Sequence, residues 1–343
     1  MDGKLTVICI AGAPAILAAA GLASALLIIV LRPLLARYAM ARPNARSSHS
    51  TPTPQGGGIA VVVAVIAVSY AAFFFLRPGA AAELQFHVIS AAVVLIAGVG
   101  VIADIHPENV ASRLLLQALS VAAVIFVLPP EVRALPILPL PVERIGLVIG
   151  GLWFVNLVNF MDGLDWMTVV EVVPITAALA VIGLLGIVPT PAVTVSLALC
   201  GAMIGFAFFN RPVAKLFLGD VGSLPIGLIL GWLLILLAGN GGRAAAILLP
   251  LYYLADSSIT LARRALNGEK VWQAHRSHFY QRATDRGFSV LDVVARVFAV
   301  NLALAALALA TVLLPSRETS IAALSGGAAL VAWLLFIFAR GNR

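Results

Sequence analysis

Charge is scarce in this sequence. Only 11% of its 343 residues are Asp, Glu, Lys or Arg, against about 25% in a typical soluble domain, and that shortfall excludes an ordinary water-soluble globule. Cysteine is nearly absent. Cys9 and Cys200 both sit within apolar runs, where a thiol is a small core residue, and they form neither a disulfide framework nor a metal cage. No Gly-x-x-x-x-Gly-Lys-Ser/Thr loop occurs, so ATP-driven transport finds no support, and no Ser–His–Asp or His-Glu-x-x-His pattern stands out. Internal repeats and a separate soluble domain are missing too.

Apolar side chains are abundant: 62% of residues are hydrophobic and the mean hydropathy is +1.06. About 20 apolar residues in a helix cross roughly 30 Å of hydrocarbon. Apolar segments lie near 5–31, 57–76, 86–103, 113–128, 146–161, 169–188, 191–209, 223–238, 244–262, 291–313 and 320–339. Backbone groups in lipid must be satisfied within the segment, so each is expected to be helical. The expectation is an all-α polytopic membrane protein of about eleven transmembrane helices, with residues 1–343 as a single integral-membrane domain. Lys4 and the small residues after it have the look of a signal peptide, but the apolar run continues to Leu31, longer than a typical signal core. The first helix is therefore expected to be retained.

The net charge of +7 is spread among short loops, which points to membrane topology rather than nucleic acid. With the first loop, 32–56, on the inside, 16 of the 22 Lys and Arg residues fall on the inner side. Arg42, Arg46, Arg263, Arg264 and Lys270 are among them. The positive-inside rule then puts the N-terminus outside and the C-terminus in the cytoplasm. The polar stretches 42–58, 104–117, 159–168, 210–223 and 263–288 all fall on that inner face, whereas the outer connections are Pro- and Gly-rich turns. A site on the cytoplasmic face is expected.

Several constellations there carry chemistry. In "NFMDGLDWM" (159–167), Asp162 and Asp165 share a face if the stretch is helical, Gly163 loosens the backbone, and Asn159 adds an amide. Such a group suits a divalent cation or the donors of a sugar or nucleobase, and a solvated acidic helix end is the competing reading. In "FNRPVAKLFLGDVGSLPIG" (209–227), Asp220 lies in a Gly-Asp-x-Gly-Ser turn that opens a span, with Asn210 and Lys215 on the same loop. Gly219 and Gly222 would permit close backbone approach to a ligand, and free N–H groups at the helix start favour anions. An ordinary N-cap by Asp220 or Ser223 is the alternative.

"HRSHFYQR" (275–282) pairs His275 with His278 among Arg276 and Arg282. The neighbouring cations argue against zinc and favour phosphate. In "GVGVIADIHPENVASRLLLQ" (98–117), Asp104 closes one span, and Arg113 and Gln117 open the next. Asp256 near the inner end of its span is costly in lipid and therefore suspicious. His87 and His106 have no evident partner.

Five stretches together, "PNARSSHSTPTPQGGG", "NFMDGLDWM", "FNRPVAKLFLGDVGS", "LADSSITLARR" and "HRSHFYQR", resemble the polyprenyl-phosphate N-acetylhexosamine-1-phosphate transferases (glycosyltransferase family 4). They occur in that family's order and cover most of the chain. "HRSHFYQR" looks closer to the O-antigen-initiating branch than to the muramyl-pentapeptide branch. The resemblance implies a Mg²⁺-dependent enzyme of the bacterial inner membrane, with Mn²⁺ as an alternative metal. It would transfer a sugar-1-phosphate from a UDP-sugar to undecaprenyl phosphate at the cytoplasmic face, release UMP, and initiate cell-envelope polysaccharide. A homodimer is compatible with it.

Carried over by resemblance, Asp220 is the metal ligand, with Asp104 beside it as the second metal and catalytic carboxylate. Asn159, Asp162, Asp165 and Asn210 bind nucleotide and donor sugar, and Arg113 meets nucleotide or diphosphate. His275, Arg276, His278 and Arg282 hold diphosphate or sugar. Two positions depart from the family. Ala103–Asp104 stands where adjacent aspartates are usual, which removes one proposed base, and Trp166 stands where Gly is common. Because of Ala103, a non-catalytic lipid- or nucleotide-sugar-binding member is the alternative reading. A secondary transporter fits less well, since the acids gather at one face.

Overall fold

The computed structural model describes residues 3–41, 52–105, 109–270 and 275–341, with side chains from residue 12 onward. The 42–51 lead with Arg42 and Arg46, His106, Arg343, and the side chains of Lys4 and Cys9 lie outside the described residues.

The chain runs α1 (Gly3–Tyr38), a two-residue pair β1 (Met40–Ala41) and β2 (Thr53–Pro54), α2 (Gly58–Leu76), α3 (Ala80–Ile105), α4 (Val110–Phe126), α5 (Leu140–Met161), α6 (Met167–Leu184) and α7 (Thr190–Asn210). It continues with α8 (Asp220–Gly239), α9 (Arg243–Leu248), α10 (Leu251–Leu266), α11 (Phe279–Asp285), α12 (Val290–Leu313) and α13 (Arg317–Arg340). Among the described residues, nine helices are long and apolar enough to cross a membrane, and α4 is a shorter apolar helix. The remaining expected segment, 244–262, is divided between α9 and α10. Pro250, which has no N–H to donate, stands at the break.

Glycine sets how closely the helices approach. A Cβ at Gly201 or Gly205 of α7 would lie 2.1 Å from the Leu17 carbonyl oxygen or 2.3 Å from that of Gly21 on α1, the spacing of a small-xxx-small crossing. α8 is the central helix, buried along most of its length, and packs against α3 and α5. A Cβ at Gly58 would sit 2.1 Å from the Gly222 Cα. The close approach expected of Gly222 is thus to the protein's own backbone and not to a ligand.

Away from the site, the 129–145 connection does more than turn. α5 begins before the apolar run, and Glu143 and Arg144 are buried in its first turns. Arg144 donates to the carbonyls of Ile125 (2.9 Å) and Pro129 (2.8 Å), capping the end of α4. Glu143 accepts from Arg133 and from the Leu135 N–H. His87 also has a partner, the Tyr70 hydroxyl at 2.8 Å, because α2 and α3 pack as a hairpin.

α10 turns its polar side inward, as polar residues of membrane helices do. Tyr252, Tyr253, Asp256, Ser257, Thr260 and Arg264 are all buried, so its polar face points into the protein. Between two of the apolar helices, Glu171 of α6 accepts from Asn301 of α12 at 2.6 Å. This intramembrane pair was not singled out in the sequence because its members are 130 residues apart.

Candidate active site

The short connections bring the ends of α3, α5 and α7 and the starts of α4, α6 and α8 to one end of the bundle. Three side chains close a triangle there. Arg113, in the first turn of α4, places Nη1 3.0 Å from Asp220 Oδ2, and its Nη2 donates to Asn159 Oδ1 at 3.1 Å. Asn159, in the last turn of α5, donates from Nδ2 to Asp220 Oδ1 (2.7 Å) and Ser223 Oγ (2.8 Å).

Asp104 lies behind this triangle. Its Oδ1 accepts the Asp220 N–H at 3.0 Å and its Oδ2 the Val221 N–H at 3.2 Å, so it caps α8 from another helix. The sequence places free N–H groups at the start of α8 for an anion; the structure gives them to Asp104. Gly219, at φ 77°, stands where a Cβ would lie 2.5 Å from Asp104 Oδ2, and only glycine permits this contact. The cap of α8 is therefore neither Asp220 nor Ser223 but Asp104, 116 residues away from the N–H it receives.

The "MDGLD" turn is not helical. α5 ends at Met161, and Trp166 takes a left-handed conformation at φ 63°, so Asp162 and Asp165 do not share a helix face. Asp162 accepts from the Thr168 hydroxyl. Burial pushes its carboxyl up to about 7; Thr168 opposes the shift, and the charges of Asp220, Asp104 and Asp165 add to it. Four carboxylates thus share one electrostatic neighbourhood. Asp165 is buried and accepts the Ala214 N–H at 2.9 Å. Asn210 accepts the Trp166 N–H (2.8 Å) and donates to the Leu216 carbonyl (3.0 Å). Asp165 and Asn210 hold the 211–219 loop under the triangle.

The His-containing segment docks through Asp256, which is 0% exposed. Its oxygens accept the Phe279 N–H (3.0 Å), the Tyr280 N–H (3.2 Å) and the Tyr252 hydroxyl (3.2 Å), and the His278 ring lies at 3.2 Å. A carboxylate at the N-terminus of α11 meets the free N–H groups and the positive end of the helix dipole. That resolves the suspicion raised by an acid within an apolar span. The His275 and His278 rings are 4.8 Å apart. Arg276 turns back to Asp285 at 3.0 Å. Arg282 shares its surroundings with Arg286 and Arg263, and burial first, then these like charges, hold its guanidinium below the usual arginine range.

A cleft of about 860 Å³ joins the two groups. Arg113, Asn159, Asp220, His275 and His278 line its polar part, and Val110, Leu114, Ile149, Leu152, Trp153 and Leu261 line its apolar walls. Asn156 also lines it, one turn below Asn159, and donates to Gln117 Oε1 at 2.8 Å. Asp104, Asp162, Asp165, Asn210, Arg276 and Arg282 are not among the lining residues. Trp153 and Asn156 were not singled out in the sequence, because within an apolar run only the relative positions of α4, α5 and α10 reveal which side chains face a cavity.

Residues 86–238 match the family described as Glycosyl transferase family 4. The chain is 26% identical over 301 residues to a Bacillus subtilis (strain 168) protein named "Probable undecaprenyl-phosphate N-acetylglucosaminyl 1-phosphate transferase", covering 81% of this chain and 82% of that protein. It is 27% identical over 296 residues to the decaprenyl-phosphate N-acetylglucosaminephosphotransferase of Mycobacterium tuberculosis (strain ATCC 25618 / H37Rv), covering 76% and 72%. A 72-residue stretch is 42% identical to the phospho-N-acetylmuramoyl-pentapeptide-transferase of Oceanobacillus iheyensis, covering 21% of this chain and 22% of that protein.

Proposed function

Because the chain belongs to glycosyl transferase family 4, we propose that its cleft joins a UDP-sugar to undecaprenyl phosphate. The protein is a phosphotransferase that moves a sugar-1-phosphate onto a polyprenyl phosphate. The finer reading is that the sugar is an N-acetylhexosamine, that UMP is released, and that the product initiates a cell-envelope polysaccharide such as O-antigen. The observation that carries the joining of these two substrates is the cleft's division into a charged end and apolar walls. An acceptor with a phosphate head and an isoprenoid tail needs both, and a soluble donor needs only the first.

In the transfer, an oxygen of the acceptor phosphate attacks the β-phosphorus of the donor. The bond from that phosphorus to the bridging oxygen breaks, and UMP leaves with the electron pair. The second pKa of a phosphate monoester is about 6, so the acceptor arrives largely ionised and needs little help from a base. This suits a chain in which Ala103 replaces one usual carboxylate and Asp104 directs both oxygens to backbone N–H groups. Arg113, always protonated and forked, is placed to bind the donor diphosphate. His275 and His278 line the same cleft.

The donor set in the cleft fits a hard divalent cation: it consists of oxygens, from Asp220 and the Asn159 amide. Asp220, with Asp104 behind it, would hold Mg²⁺, which supplies charge neutralisation for the diphosphate. Among the described residues no three His, Cys, Asp or Glu side chains form a full cage, so water and phosphate oxygens would have to complete the coordination. The positive-inside distribution supports placing this end at the cytoplasmic face of the bacterial inner membrane.

The test is UMP release by the purified protein in detergent across a panel of UDP-sugars, with undecaprenyl phosphate and Mg²⁺ each omitted in turn. Release that requires both, and that falls at least about a hundredfold in Asp220→Asn, is the expected result. Undiminished release from a folded Asp220→Asn protein would remove the site assignment. No release by the wild type, with a large gain in Ala103→Asp, would favour the non-catalytic reading.

A further inference from the structure

The Arg113–Asn159–Asp220 triangle leaves neither Asp220 oxygen without a bonded partner: Arg113 holds Oδ2 at 3.0 Å and Asn159 holds Oδ1 at 2.7 Å. The carboxylate that best suits a divalent cation is thus already neutralised by a cation of the chain's own. A guanidinium does not release its proton in proteins, so it cannot leave this pairing by titration; it has to move. A Mg²⁺-sized ion binds oxygen at about 2.0–2.1 Å, and two cations sharing one carboxylate oxygen repel. Both side chains face the cleft and are partly exposed, 24% and 28%, so there is room for the movement. Asn159 remains anchored through its 2.8 Å bond to Ser223 Oγ whichever partner Asp220 takes.

The geometry points to Arg113 as a resident counterion that Asp220 exchanges for the divalent metal, which frees the guanidinium for the anionic substrate in the same cleft. The inference rests on the metal reading given above and adds to it an order of events. The metal displaces Arg113 from Asp220, and the displaced Arg113 then clamps phosphate. Before exchange the pair keeps a carboxylate from standing unneutralised at the membrane surface. After exchange the same positive charge lies against the donor. Arg113 is in this sense a competitor of the metal at Asp220 and a binding residue for the diphosphate.

The exchange can be read without turnover. Mn²⁺ serves as probe, titrated by electron paramagnetic resonance into the full-length purified protein with no substrate present. Arg113→Gln, which lacks the competing charge, is expected to bind Mn²⁺ at least about fivefold more tightly than wild type, and Arg113→Lys to lie near wild type. UDP-sugar binding at saturating Mn²⁺ is expected to weaken in Arg113→Gln. A second measurement uses the wild type alone. Modification of Arg113 by phenylglyoxal, followed by mass spectrometry, should quicken severalfold when Mn²⁺ is added. Equal or weaker Mn²⁺ binding by folded Arg113→Gln, or Arg113 modification that Mn²⁺ leaves unchanged or slows, would overturn the exchange. Asp220→Asn separates the two readings. Mn²⁺ binding in the wild type that ignores this substitution, or no binding at all, overturns the metal site and the exchange together. Asp220-dependent binding with no gain in Arg113→Gln overturns only the exchange.

Discussion

The Tyr280 hydroxyl donates to the Phe160 carbonyl at 3.0 Å, and it passes so close to Gly163 that a Cβ there would lie 2.1 Å from the phenol oxygen. One hydrogen bond thereby ties α11, which follows the histidines, to the turn that carries Asp162. The glycine is required by this contact and not by a positive φ, since the positive-φ residue of the turn is Trp166.

Gly163→Ala is therefore expected to destabilise the protein by about 1–3 kcal/mol through overpacking. Tyr280→Phe in the same chain should recover part of the loss, because it removes the oxygen that the methyl meets. A double-mutant cycle on thermal melts in detergent checks this; strictly additive effects would show that the two groups do not collide.

Asp256→Ala removes the acceptor of the first two N–H groups of α11 and leaves Tyr252 and His278 without their partner. The expected cost is on the order of 3 kcal/mol, with faster amide exchange concentrated at 277–285 and reduced turnover. Hydrogen exchange by mass spectrometry would reveal whether the change is confined to that segment.

The raised carboxyl of Asp162 makes stability depend on pH. Below pH 3.8 it is protonated both folded and unfolded. Between 3.8 and about 7 the folded protein keeps a proton that the unfolded chain has released, so stability falls as pH rises through this window and levels off above it. Asp162→Asn, whose amide does not titrate, should have a shallower decline of melting temperature from pH 4.5 to 7.5. Parallel curves would show that Asp162 titrates normally.

Trp166 adopts a left-handed backbone that glycine tolerates without cost, while its indole donates to the Ala207 carbonyl at 2.7 Å. Ala at this position loses the indole and keeps the strain; Gly loses the indole and is relieved of the strain. Trp166→Gly should therefore be about 1 kcal/mol more stable than Trp166→Ala, measured by melting both in one detergent.

The residues of the site were legible by type, but their partners were not. The "HRSHFYQR" and "NFMDGLDWM" stretches stand out because polar side chains are rare in so apolar a chain. Asp256 stood out for the same reason. Nothing in the local sequence says that it caps a helix 23 residues later, that Asp104 caps α8, or that Asp165 and Asn210 hold the loop beneath the site. Asp162 and Asp165 were expected on one face of a helix that the chain ends at Met161.

By itself the sequence determined that this chain spans a membrane many times and gathers its polar residues at one end. Both follow from hydropathy and from the alternation of spans, which sum along the chain and need no knowledge of contacts. Only the tertiary structure decided which carboxylate faces the cleft and which is consumed by backbone N–H groups. That choice depends on which helix ends meet, and their meeting is set by glycine contacts such as Gly58 with Gly222, between residues far apart in the chain. Asp220 and Asp104 are the same residue type at neighbouring helix ends. One lines the cavity and one caps a helix because α3, packed against α8, brings Asp104 to the N–H groups of Asp220 and Val221.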